Sequence, residues 1–297
     1  MHVALEDVSV IRDDEIVLHR VGLTLTPGTV TVVLGGSGEG KTTLARTALG
    51  LTPPDHGRVV VDGRDLRDLS DRDVRALRRS AGAMLGGPLI FDGSLQGSID
   101  AAGNLAFPLR ARDTPEDEVG VRVDWWLDAF GLSDQRDLLP HDLSAHTRRR
   151  LALAAALIAE PTLLVLDEVE LGDDSIRSGP MRRAIQDAAH RGGATVLVTT
   201  HDLELARDVA DTVVVLANHR VVAAGAPDGV LAGVDDGIEF DRRFRANDDL
   251  GPDLEAQLES MRSRRYREWS VDPVVLGVFL ALAATAAVLT LLLQLMP

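Results

Sequence analysis

The chain has 297 residues and a formal net charge of −15, enough length for one large domain or two modest ones and too acidic for the basic face that nucleic-acid phosphates require. It contains no cysteine, which excludes disulfides, thiol catalysis, Fe–S clusters and cysteine zinc sites. Hydrophobic residues make up 45% of the chain and aromatics only 3%, so it folds, and its core is aliphatic.

The first ten residues, MHVALEDVSV, carry neither a basic region nor an apolar run, so no signal peptide is expected. Residues 3–11, 15–25 and 29–35 are rich in Val, Leu and Thr and read as strands, with turns at 12–14 and at Pro27-Gly28. Val59 to Val61 is a further strand before the Asp62-Gly63 turn. Leu66 to Arg79 is helical and highly charged, the acidic stretch Asp113 to Glu118 reads as an exposed loop, and Asp124 to Phe130 and Thr147 to Ala159 read as helices. Leu163 to Leu166 is wholly apolar, as a buried parallel strand should be. Then come a helix from Met181 to His190, a second buried strand from Ala194 to Thr199, and a helix from Leu203 to Val209. Val213 to Leu216 and Arg220 to Ala224 form a hairpin-like pair. Strands alternating with helices give an α/β fold with a covered sheet.

Residues 236–272 are polar and weakly patterned and read as a linker, helical in part at Leu254 to Met261. Val274 to Leu293 has no charged residue; at about 1.5 Å per residue it reaches roughly 30 Å, the thickness of a bilayer core. A buried core helix is the competing reading. Arg262, Arg264, Arg265 and Arg267, followed by Trp269, flank its N-terminal side and place that side in the cytoplasm. The expectation is a single transmembrane helix over residues 273–296, anchoring a cytosolic body in membrane lipid.

Gly35-Gly36-Ser37-Gly38-Glu39-Gly40-Lys41-Thr42 fits G-x-x-x-x-G-K-[ST] between the strand ending at Leu34 and a helical run from Thr43 to Leu49. Glycines there let successive backbone N–H groups converge on one phosphate, and the helix N-terminus adds its dipole. Lys41 offers a point charge to the β- and γ-phosphates, and the Thr42 hydroxyl a ligand for Mg²⁺. Of the 31 basic residues every one but Lys41 is arginine, so lysine survives only where a compact ammonium is wanted. A chance glycine-rich turn is the competing reading, and the unique lysine counts against it.

The run Leu163-Leu164-Val165-Leu166-Asp167-Glu168 ends a buried strand in two carboxylates. Asp167 is the candidate to hold the metal and Glu168 to orient or deprotonate the attacking water. His201 ends the strand Val196 to Asp202, and a parallel strand delivers it to the same carboxyl edge, where open α/β sheets bind ligands; a surface or capping histidine is the competing reading. A γ-phosphate contact is expected of it.

Over residues 1 to about 230 these motifs, in this order and spacing, resemble the ATP-binding cassette (ABC) family of ATPases. The resemblance implies a P-loop NTPase core of the ABC type with an N-terminal antiparallel β-subdomain and an α-helical subdomain near residues 86–160, in a domain ending near residue 235. It implies ATP and Mg²⁺ as ligands, with nucleotide contacts from Gly35 to Thr43. It makes Asp174 the D-loop aspartate and places the signature segment at Leu143-Ser144-Ala145-His146-Thr147, where Ser144 would donate to ATP held by a partner chain. Asn104 to Arg110 and Leu171 to Asp174 look most like the Mla/Mce-type ATPases of bacterial lipid transport.

The sequence also departs from the family pattern. Both signature glycines are replaced, by Ala145 and His146, and a β-carbon and an imidazole obstruct the approach of backbone amides to a facing phosphate. The Q-loop glutamine aligns with Gly86, Gln96 being the nearest substitute. Where the family stacks an aromatic on adenine the chain offers Ile11 and Arg12; Arg12 either stacks as a flat cation or stays a solvated turn residue. The half-site the chain uses for itself is therefore mostly complete, and the half it would lend a partner is damaged.

These readings imply an ATP-hydrolysing subunit at the cytoplasmic (inner) membrane, bound to transmembrane permease subunits and to a second ABC ATPase chain. That second chain is identical or different, and the damaged signature favours a different one. The alternative is a regulatory or scaffold subunit that binds ATP and hydrolyses little. A DNA-acting cassette is excluded by the acidity, the absence of cysteine and the ordinary distance between motifs.

Overall fold

The alternating N-terminal stretches pair with each other. Strands β1 (Val3–Arg12) and β2 (Glu15–Leu25) form an antiparallel hairpin whose turn residues Asp13 and Asp14 take φ of 48° and 63°, the left-handed pair that matches the twist of the strands. Next come β3 (Val30–Leu34), helix α1 (Lys41–Ala48), β4 (His56–Val61) and β5 (Arg64–Asp65). β4 pairs with the other side of β1, giving a four-stranded antiparallel sheet in the order β2-β1-β4-β5. The computed structural model describes residues 1–85, 99–169 and 179–245.

Helix α2 (Asp71–Ser80) leads into β6 (Ala81–Met84). Helices α3 (Ala101–Arg110), α4 (Glu116–Ala129) and α5 (Ala145–Leu157) follow, then β7 (Leu163–Leu166), α6 (Pro180–His190), β8 (Thr195–Thr200) and α7 (Leu203–Val209). The hairpin of β9 (Thr212–Ala217) and β10 (Arg220–Gly225) and the helices α8 (Pro227–Val230) and α9 (Gly237–Phe244) complete the described chain. The second sheet has the order β10-β9-β3-β8-β7-β6 and is parallel except for β10.

The period-two alternation of the central strands sorts their side chains onto two faces. Val32, Leu34, Leu164, Leu166, Val196 and Val198 pack with α5, α6 and α7. Val33, Leu163, Val165, Leu197 and Val214 pack with α1 and the antiparallel sheet. A third aliphatic cluster joins α3, α4 and α5 through Leu105, Leu109, Val123, Leu127, Leu151 and Ile158. Leu34 stands level with Thr200, and Leu166 with Val198, so the carboxyl ends of β3, β8 and β7 lie side by side.

Three local expectations change. The charged run expected as one helix from Leu66 to Arg79 breaks into a 3₁₀ turn, Leu66–Asp68, and α2, because the Ser70 hydroxyl caps the Asp73 amide and starts a new helix. The acidic stretch expected as a loop instead supplies the first turn of α4 with Glu116, Asp117 and Glu118, where the positive end of the helix dipole favours carboxylates. The linker expected from residue 236 opens with an ordered helix: Asp236 accepts the amides of Ile238 and Glu239, and Phe240 of α9 is buried against the central core. Among the described residues no helix is long and apolar enough to cross a membrane; the expected span, residues 273–296, lies outside them.

Candidate phosphate-binding site

β3 is buried at every position, and from Leu34 the chain passes through Gly35 to Gly40 into α1, whose first residue is Lys41. Gly40 holds φ 99° and ψ 11°. A Cβ there would lie 2.3 Å from the Val17 carbonyl oxygen, and one on Gly35 would lie 2.5 Å from that of Leu216. The loop is thus wedged between β2 and β9 so closely that these two positions admit only glycine. No side chain caps α1, which leaves the amides of its first turn and its positive dipole end for an anion.

The Lys41 side chain is buried, and its Nζ donates to the carbonyl oxygens of Gly35 at 3.0 Å and Gly36 at 2.8 Å. Burial is the largest influence on this ammonium and pushes its pKa down; Glu168, Asp167 and Glu39 pull it back up, and Arg245 lowers it further. The fold therefore brings into one field the lysine of the loop and the two carboxylates more than a hundred residues away in sequence.

Those carboxylates follow β7. Asp167 is 1% exposed; Glu168 is exposed and stands on left-handed backbone at φ 52°, a strained conformation for a residue with a side chain. Thr199 of β8 binds both. Its hydroxyl donates to Asp167 Oδ1 at 2.5 Å and accepts the Glu168 amide at 2.9 Å. Sequence reasoning did not single out Thr199. The only signal was a pair of threonines, Thr199 and Thr200, interrupting an apolar strand just before His201. The other oxygen, Asp167 Oδ2, is buried with no hydrogen-bond partner among the described residues. A buried, unpaired carboxylate oxygen beside a phosphate loop fits a divalent cation.

The remaining expected residues fall as follows. His201 comes directly after β8, and Asp202 beside it caps α7 by accepting the amides of Glu204 and Leu205. Ser37 and Gly38 lie in the loop, and Thr42 and Thr43 in the first turn of α1. Ser144 caps α5, accepting the Thr147 amide at 3.1 Å, with Ala145 and His146 as the first helical residues. Arg12 Nη1 donates to the Ile11 carbonyl oxygen at 2.7 Å and lies 3.7 Å from the Asp55 carboxylate. Asp174, Gly86 and Gln96 lie outside the described residues.

Residues 18–170 match the family model described as ABC transporter. The chain belongs to the ABC transporter family. It is 36% identical over 218 residues to the methionine import ATP-binding protein MetN 1 of Rhodopseudomonas palustris, covering 73% of this chain and 57% of that protein. It thus spans little more than half the length of that relative. It is 32% identical over 234 residues to the intermembrane phospholipid transport system ATP-binding protein MlaF of Escherichia coli K12, covering 78% of this chain and 85% of that one. Among solved ABC structures it resembles cbiO1 of Clostridium perfringens, part of the transporter complex cbiONQ, with a TM-score of 0.65 and 27% identity over 88% of this chain and 98% of that one. The fold is the family's α/β P-loop NTPase fold, one sheet antiparallel and the other mostly parallel.

Proposed function

We propose that the chain is an ATP-binding and hydrolysing subunit of a membrane ABC transporter. The observation that carries this reading is the buried Lys41 ammonium, seated on the carbonyls of Gly35 and Gly36 in a common field with Asp167 and Glu168. An arriving triphosphate takes the α1 amides, and Lys41 exchanges its two carbonyl partners for phosphate oxygens, an exchange that favours the charged amine. Thr42 and Asp167 are the residues to hold Mg²⁺, which when bound offsets charge on the β- and γ-phosphates. Glu168 accepts a proton from water as its oxygen attacks the γ-phosphorus; the bond to the β–γ bridging oxygen breaks, and ADP and phosphate leave. His201 is the residue assigned to the γ-phosphate from the next strand.

The finer reading concerns partners and cargo. In the family arrangement ATP lies between one chain's phosphate loop and the other's signature. Ala145 and His146 weaken the half offered by this chain, which favours a dimer with a different ABC ATPase. Transmembrane permease subunits complete the transporter, with the ATPase domain in the cytoplasm at the inner membrane and residues 273–296 as a single membrane span. A lipid or other hydrophobic cargo is supported by the likeness to MlaF, which extends over more of that relative's length than the likeness to MetN 1 does.

The altered signature also supports a second reading, a regulatory or scaffold subunit that binds ATP and hydrolyses little. E168Q separates the two. On the motor reading it abolishes ATP hydrolysis and transport by the native complex while Mg·ATP binding persists. Unchanged hydrolysis and transport overturn the motor reading for this chain.

A further inference from the structure

The phosphate loop contains an acidic residue, Glu39, two positions before Lys41. A carboxylate among amides that must receive a polyphosphate opposes the ligand the loop is built for. Its side chain is 6% exposed, so solvent does little to screen it. One oxygen accepts the His219 amide at 3.3 Å; the other lies 3.0 Å from the guanidinium of Arg245.

Arg245 follows α9, beyond the residues that match the family model. Buried Phe240 fixes α9 to the core, and Asp241 one turn back holds the Arg245 head at 3.2 Å. The guanidinium rests against the loop itself. A Cβ on Gly36 would meet Arg245 Nη1 at 2.9 Å, so the glycine makes room for the arginine. The same cation acts on Lys41.

We propose that Arg245 is a positioning residue of the nucleotide phosphate site: by pairing with Glu39 it neutralises the carboxylate of the loop, and so sets the affinity for the triphosphate. The inference rests on the phosphate-site reading above. It ties α9 and the residue after it to the phosphate site, since loss of the pair leaves an uncompensated carboxylate in the loop.

The test is a double-mutant cycle on the full chain, with the dissociation constant for Mg·ATP measured by calorimetry and folding checked by thermal unfolding. R245Q is expected to weaken binding by about five- to ten-fold, the size of one half-exposed charge discounted for solvent screening. R245K, which keeps the charge, recovers most of the loss. In the E39Q background the same R245Q change costs less than about three-fold, because the charge it compensated is gone. A merely structural arginine gives the same loss in both backgrounds and overturns the proposal, as does an R245Q chain that binds as tightly as the unaltered one. If the unaltered chain itself fails to bind Mg·ATP, the phosphate-site reading falls and this inference with it.

Discussion

Thr199→Val removes one hydroxyl and keeps the volume of a side chain that is fully buried. Two interactions disappear, the bond to Asp167 Oδ1 and the one received from the Glu168 amide. The first is made to a carboxylate whose other oxygen already lacks a partner. Losing a charge-assisted bond costs about 1.5–3 kcal/mol, and stranding a partly buried amide about 1–3, so the expected destabilisation is about 3–5 kcal/mol. For a chain of this size the melting temperature should fall by about 6–20 °C. Catalysis suffers separately, because Thr199 orients both acids: kcat should drop by about ten-fold or more while the Mg·ATP dissociation constant, set by the loop, moves much less. Thr199→Ser keeps the hydroxyl and should recover most of both effects. Calorimetric melting and a phosphate-release assay on the three proteins decide the matter. A valine variant that melts within about 2 °C of the unaltered chain and hydrolyses ATP at its rate refutes the bridging role.

Because Lys41 is the only lysine, selective ¹³C-lysine labelling gives a single Cε resonance whose pH titration reports that ammonium alone. Burial predicts a midpoint below the ordinary value of 10.5. The unfolded chain then binds the proton more tightly, so stability rises with pH between the depressed value and 10.5 and is flat below that window; Mg·ATP should move the midpoint upward, and a nucleotide-free midpoint at or above the ordinary value contradicts the buried seat. Restoring the signature with A145G/H146G places two glycines at the start of α5 and should cost up to about 1 kcal/mol each in thermal unfolding. ATP turnover by the native complex should rise; an unchanged rate means that this signature does not face the site that limits turnover.

The order of strands and helices was legible because burial on both faces leaves the parallel strands as short, wholly apolar runs, and because the phosphate-loop pattern fixed the register of β3 and α1. The Asp167 and Glu168 pair was legible for the same reason, as the carboxyl end of such a run. What joins the two motifs was not. The register that sets Leu34 level with Thr200 and Leu166 near Val198 is a property of strand pairing, and only that pairing makes Thr199 the bridge between the acids. Local propensity could not locate α9 either. Half of its residues are charged, and two aromatics, buried Phe240 and partly buried Phe244, dock the helix on the core.

The same limit explains Arg245. In sequence it is one arginine among many, 206 positions from Glu39, which there counts only as one of the loop residues around the phosphates. A buried carboxylate in a site meant for phosphate is an electrostatic contradiction that the chain must resolve somewhere, and the resolution comes from a helix that composition alone assigns to a linker. The ion pair joins the residue just past α9 to the loop that precedes α1.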